Sequence, residues 1–312
     1  MLDAGMPRSS TKPSVVQWPL RTRRLASGLV ADTTAARADV PVTTTGDIPV
    51  PVRVYFFFGV LAGLFPAIFG LFDPATLDRE FTWASLPALH ARFIGSFYVF
   101  AVLYTLGLLV ARRRWQVASG LVAIVIFTTA VGILNLLNWE AFDFDETTVR
   151  VWIAVYIAFP VLGLALIWLT RHDDEGTQRG EAIAPWARGW FLVQAVVYGV
   201  VGVLCLVARE TVADAWPWPV TNTVVQFYGG AFLSLAYISW HSARRRTWAS
   251  LVAAAPPFLV FSFLAVVVSL IHAELFSADD AATWAWFAFF GASAAVAAAM
   301  VAMVIRDRPF AR

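Results

Sequence analysis

The chain predicts an all-α polytopic membrane protein of eight transmembrane helices, arranged as two tandem parallel four-helix repeats. Of its 312 residues, 59% are hydrophobic and 14% charged, and its mean hydropathy of +0.69 lies far above that of a soluble domain. Apolar runs long enough to cross a hydrocarbon core roughly 30 Å thick recur eight times. The third observation is a repeated polar signature. Leu137-Asn138-Trp139-Glu140-Ala141-Phe142, leading through Asp145-Glu146 to Trp152, returns with identical spacing as Ile271-His272-Ala273-Glu274-Leu275-Phe276, leading through Asp279-Asp280 to Trp286.

Residues 1–51 are rich in Thr, Ala, Pro and Arg, hold no long apolar run, and read as a disordered cytoplasmic tail. They do not read as a secretory signal, because no basic start leads into an apolar stretch. Within the tail, Trp18, Leu20 and Leu25 alternate with Arg21, Arg23 and Arg24, a pattern of either a solvated basic arm or a segment lying on an anionic membrane. The first repeat, residues 52–171, holds spans over Val54 to Phe72, His90 to Val110, Trp115 to Leu137 and Val149 to Leu169. Residues 172–187, including His172-Asp173-Asp174-Glu175, form a polar linker. The second repeat, residues 188–306, holds spans over Trp190 to Ala208, Thr223 to Trp240, Trp248 to Ile271 and Thr283 to Ile305, and 307–312 form a short tail.

The correspondence between halves runs beyond the opening signature. Allowing one residue of slip, Arg53-Val54-Tyr55-Phe56 matches Arg188-Gly189-Trp190-Phe191. Phe93-Ile94-Gly95 matches Phe227-Tyr228-Gly229, and the arginine run Arg112 to Arg114 matches Arg244 to Arg246. A unit of four helices starts and ends on one side, so the copies are expected to be parallel, about a pseudo-twofold axis along the membrane normal. Arginine runs gather at one end of the spans, which the positive-inside rule assigns to the cytoplasm together with both termini. The other end carries Asp73, Asp78, Glu80, Glu140, Asp143, Asp145, Glu146, Glu210, Asp214, Glu274, Asp279 and Asp280 against Arg79, Arg92, Arg150 and Arg209. An acidic outer face follows, with Trp83, Trp139, Trp216, Trp218, Trp284 and Trp286 as an interfacial belt.

The candidate site lies at that acidic end. Asn138 and Glu140 end the third span, and His272 and Glu274 occupy the same places in the second copy. A histidine beside a carboxylate can bind a cation, share a proton or orient its neighbour; alternatively, such groups simply cap a loop at the water interface. His90 and Arg92 open the second span, and Gln226 stands where Arg92 stands in the other copy. Closure about the pseudo-axis would bring His90, Arg92, Glu140, Gln226, His272 and Glu274 to one outward cavity. His272 and Glu274 are the candidate metal ligands. His90 and His272 are also the pair able to share a haem iron, since His241 is expected at the opposite end.

Other chemistry finds little footing. A net charge of +2 with scattered basic bursts excludes a nucleic-acid surface. The single cysteine, Cys205, permits no internal disulfide or cysteine metal site. No phosphate loop, dinucleotide fingerprint or zinc-protease helix occurs, and Ser119, Ser234, Ser262, Ser269 and Ser293 are scattered as packing residues are, so the chain does not read as an enzyme. Gly59-x-x-x-Gly63, Gly199 and Gly202 suggest close helix approaches. Pro66, Pro160 and Pro256-Pro257 suggest kinks, and the last pair reads as either a kink or a break in its span. No Asp, Glu or Lys stands at mid-depth, which argues against a proton-driven pump.

At Asn138-x-Glu140-x-Phe142 and His272-x-Glu274-x-Phe276, followed by Trp152-Ile153-Ala154-Val155-Tyr156-Ile157-Ala158-Phe159-Pro160, the chain resembles a group of multi-spanning actinobacterial membrane proteins without an assigned activity. In that group a His-x-Asp/Glu-x-x-Phe-like turn precedes a Trp…Tyr…Pro helix, and the first copy here has Asn in the histidine position. The resemblance implies a bacterial cytoplasmic membrane. The functional expectation is a transporter-like or ligand-binding bundle whose acidic vestibule takes a cation or small polar solute. A haem or metal redox protein and an accessory subunit of a membrane complex are the other two readings.

Overall fold

In hydrocarbon every backbone N–H and C=O must be satisfied within the chain, and a helix does this segment by segment. The computed structural model describes residues 48–80, 85–111, 114–171 and 181–307. The tail expected over 1–51, except for its last few positions, lies outside these residues, as do the most polar part of the linker, Arg112 and Arg113, and the chain beyond Asp307. Among the described residues there is no strand, only an isolated bridge between Ala182 and Thr247.

Ten α-helices follow in order among the described residues. They are α1 (Val50–Phe72), α2 (Pro74–Glu80), α3 (Ala88–Leu109), α4 (Arg114–Leu137), α5 (Thr147–Thr170), α6 (Pro185–Val207), α7 (Arg209–Asp214), α8 (Asn222–Ala243), α9 (Ala255–Ile271) and α10 (Ala281–Asp307). Six of them, α1, α3, α4, α5, α6 and α10, are long and apolar enough to cross a membrane. The helices α8 and α9 occupy the two other expected spans but differ in kind. α8 has 22 residues, with Gln226, Ser234, Ser239, His241 and Ser242 on it, and most of its length is buried by protein. A helix wrapped by other helices does not need the hydropathy of one facing lipid.

α9 is shorter than the expected Trp248 to Ile271 because Pro256 and Pro257 fall in its first turn. There a missing N–H costs nothing and the fixed φ suits the start of a helix. The proline pair therefore begins α9 instead of breaking it. The residues before it form a separate 3-10 turn, Trp248–Leu251. Pro66 and Pro160 do sit inside α1 and α5.

α3, α4, α8 and α9 form the inner group. α1 packs on α3, α6 on α8, α5 on α4 and α10 on α9, while α4 lies against α8 and α3 against α9. Two crossings depend on glycine. A Cβ on Gly95 of α3 would stand 2.7 Å from Leu71 N, and one on Gly70 of α1 would stand 2.7 Å from the Ala91 carbonyl. At the α6–α8 crossing, a Cβ on Gly229 would meet the Gly202 carbonyl at 3.0 Å. Gly59 and Gly199 make only ordinary contacts, at 3.6 and 3.7 Å, whereas of the other glycines expected at close approaches a Cβ on Gly63 would stand 2.9 Å from the Val102 side chain and one on Gly202 3.0 Å from Leu233 N. The seam between inner helices is filled by rings: Phe93 lies 5.1 Å from Tyr228, Phe97 4.9 Å from Phe127, and Phe127 5.7 Å from Phe227.

The arginine-rich end is tied by backbone caps. Arg53 donates to the carbonyls of Leu109 and Ala111 at 2.8 and 3.3 Å, satisfying the open end of α3. Asp307 is the last residue of α10 and is buried. Its carboxylate accepts from Glu181 N at 2.8 Å and Ala249 N at 2.9 Å, while Arg306 pairs with the Glu181 carboxylate.

Candidate functional site

At the acidic end, α4 and α9 finish in the same local geometry. Asn138 has φ −117° and ψ 28°, and His272 has φ −116° and ψ 34°; each leads into a single 3-10 turn, Trp139–Ala141 and Ala273–Leu275. The tryptophan that closes each signature donates back to the preceding helix. Trp152 Nε1 reaches Asn135 Oδ1 at 3.2 Å, and Trp286 Nε1 reaches Ser269 Oγ at 2.9 Å. In both places an indole donor locks the turn to its helix.

The polar partners differ between the two. Asn138 Nδ2 donates to the Leu134 carbonyl at 2.9 Å and so ends its own helix. Glu140 is exposed. His272 instead faces α3, where Arg92 Nη1 approaches His272 Nε2 at 2.5 Å. Guanidinium only donates, so Nε2 is the acceptor and the proton sits on Nδ1. That nitrogen faces Glu274 Oε1 at 3.5 Å, with the Glu274 side chain 68% exposed. Arg92, His272 and Glu274 thus form a chain across the α3–α9 contact.

His90 lies two residues from Arg92 but on another face, at 4% exposure. Its Nε2 donates to the Pro219 carbonyl at 2.9 Å, which leaves Nδ1 to accept from Tyr228 Oη at 2.9 Å and from Trp218 Nε1 at 3.4 Å. Gln226 is buried and accepts from Arg209 Nη1 at 3.4 Å. Of the expected set, the structure joins Arg92, His272 and Glu274. It places His90 in an aromatic cage, Gln226 against Arg209, and Asn138 on its own helix.

This arrangement bears on ion and haem binding. Both ring nitrogens of His90 are engaged by protein, and the Nε2 lone pair of His272 is taken by a cation, Arg92. A metal at His272 and Glu274 would have to displace that guanidinium and then share space with its charge. Among the described residues no three His, Cys, Asp or Glu side chains cluster as metal ligands do.

Open space lies elsewhere, inside each half of the bundle. A cavity of about 430 Å³ runs among α1, α3, α4 and α5, with Glu80, Thr147 and Thr148 at its acidic-end mouth. Its wall includes Leu61, Phe65 and Val151, which are also exposed on the outer, apolar surface of the helices. α1 and α5 touch only sparingly, so the cavity opens between them. Deeper in, Tyr98 and Tyr156 bond hydroxyl to hydroxyl at 2.6 Å. A second cavity, of about 380 Å³, lies among α6, α7, α8 and α10. Between the halves, the space at Phe93, Phe227 and Phe261 is only about 10 Å³.

Tyr98 escaped the sequence reading, which looked for titratable groups at the acidic end, and Tyr156 entered it only as part of the Trp152 to Pro160 helix. A signal was present: in the register of the repeated signature their counterparts are Phe232 and Phe290. Comparison of the chain with protein families, with curated proteins and with solved structures finds no match.

Proposed function

We propose that this protein is an eight-span integral membrane protein of two tandem four-helix repeats, and that its first half binds an amphiphile drawn from the bilayer. The observation that carries the ligand reading is the 430 Å³ cavity opening between α1 and α5. Apolar walls facing a lipid-side opening select a hydrocarbon chain. Its polar side chains are few: the Tyr98–Tyr156 pair with Thr105 and Thr128 in the interior, and Glu80 with Thr147 and Thr148 at the mouth. Glu80 is the charged side chain of that wall, which favours a cationic or hydroxylated headgroup over an anionic one.

Several features support the architecture. Exchanging the halves maps α1 on α3 to α6 on α8, α4 on α5 to α9 on α10, and α4 on α8 to α9 on α3. The short helices α2 and α7 take equivalent places in the order. At about 1.5 Å per residue, α9 is roughly 26 Å long, close to a hydrocarbon core of roughly 30 Å. The outward cation vestibule draws less support, because Glu140 stands apart and Arg92 already occupies His272.

Native mass spectrometry of the protein purified with bilayer lipid tests the ligand. The wild type should retain a bound amphiphile, and Ala62→Trp, which fills the cavity from the exposed side of α1, should lose it. Equal lipid retention by both proteins would sink the reading.

A further inference from the structure

We infer that the cavity of the second half is a separate binding site for an apolar, ring-bearing molecule that presents a hydrogen-bond-accepting oxygen, such as a quinone or another conjugated carbonyl compound. This goes beyond the amphiphile site and rests on different residues. The cavity measures about 380 Å³, and α7 with Ala215, Trp216 and Pro217 closes its acidic end. Leu204 and Ala285 of its wall are exposed on the apolar outer surface, so the bilayer is the reservoir from which a ligand arrives.

Its walls are aromatic. Tyr198 and Phe232 stack at 5.6 Å with 13° between their planes, Phe289 meets Tyr198 edge-on at 5.3 Å, and Trp286 lies 4.4 Å from Phe290. Ring faces and edges at such spacings accept another ring more readily than a flexible chain.

Two donors on this wall are unanswered. Tyr198 Oη and Trp216 Nε1 are buried and have no hydrogen-bond partner among the described residues. The neighbouring indoles do find partners, Trp218 at His90 and Trp286 at Ser269. A buried donor left unpaired is costly, and more so where water is scarce. Each carbonyl oxygen of a quinone carries lone pairs able to accept such a donor. The first cavity differs, because there the Tyr98 and Tyr156 hydroxyls are partners, one donating to the other. Phe232 and Phe290 stand in their places here, so the two cavities select different chemistry.

The test uses the full chain in lipid nanodiscs and two probes of similar shape, a decyl-substituted benzoquinone and decylbenzene, read by ligand-induced shift of the melting temperature. The quinone should bind at least several-fold more tightly than decylbenzene. Tyr198→Phe keeps the ring and removes its donor, and should weaken quinone binding roughly three- to tenfold while leaving decylbenzene unchanged; Trp216→Phe, which also trims the indole to a phenyl ring, should weaken the quinone by more than decylbenzene. Ala285→Trp, on the lipid-facing wall, should remove binding of both probes, whereas Ala62→Trp in the other cavity should leave both intact. Equal affinity for the two probes, wild-type quinone binding in the Phe variants, or full binding by Ala285→Trp would each overturn the assignment.

Discussion

Arg92 and His272 illustrate how much one side chain can change the meaning of a motif. In the second copy of the signature, histidine replaces asparagine, and the new ring reaches across to α3 rather than back to its own helix. The contact is partly buried and charge-assisted, so its loss should matter. His272→Ala is expected to lower stability by about 1–3 kcal/mol, whereas Glu140→Ala, on an exposed carboxylate, should stay within about 0.5 kcal/mol. Thermal melting of the purified variants checks both, and equal shifts would remove the distinction. The sequence marks position 272 as the place where the copies diverge, histidine against Asn138, while Glu140 and Glu274 are shared. It grouped Arg92 with His272 among six residues but could not single it out as the direct partner, because the two lie far apart in the chain and only helix packing sets which side chains touch.

Among the helices, backbone contact and proline position decide what composition alone leaves open. Gly95 and Gly229 are needed because a neighbouring backbone occupies the space of a Cβ, and a main chain cannot yield as a flexible side chain can. Gly95→Ala and Gly229→Ala should each cost about 1–3 kcal/mol by overpacking, while Gly199→Ala should be tolerated. Chemical or thermal unfolding in one detergent gives the comparison. The sequence signal was the same for all of these glycines, since a glycine in an apolar helix reads alike whether it faces a helix or lipid. Pro257→Ala should likewise have a small effect, below about 1 kcal/mol, because the residue sits in the first turn of α9 where its missing donor is not required. A larger loss in the same unfolding assay would place a kink there after all.

For the molecule as a whole, the distribution of charge makes a prediction about orientation. Twelve acidic side chains gather with four arginines at the end that carries Glu140 and Glu274. The arginine runs lie at the other, where Arg171 covers Trp168 at 4.3 Å and Arg244 covers Trp240 at 4.7 Å. In a Cys205→Ala background, a cysteine replacing Ser277 should react with a membrane-impermeant maleimide on intact bacterial cells, and one replacing Arg171 should react only after lysis. The reverse pattern would invert the topology. A further consequence concerns the space between the halves. Bulky rings fill the seam, so ligand binding is expected within each half and not between the halves.

Helical class, the places of the long helices, the repeated signature and the segregation of charge were all legible in the amino-acid order. Each follows from local properties: apolar length, identical spacing, and the bias of arginine towards one end. Tertiary structure alone decided where the cavities lie, which polar groups are answered and which are not, and which helices are wrapped by protein. These depend on the gaps that α1 and α5, or α6 and α10, leave when the inner four helices pack closely. The same repeated signature therefore has two outcomes, a self-capped turn at Asn138 and a bridge to α3 at His272, because what each turn meets is set by its neighbours in space.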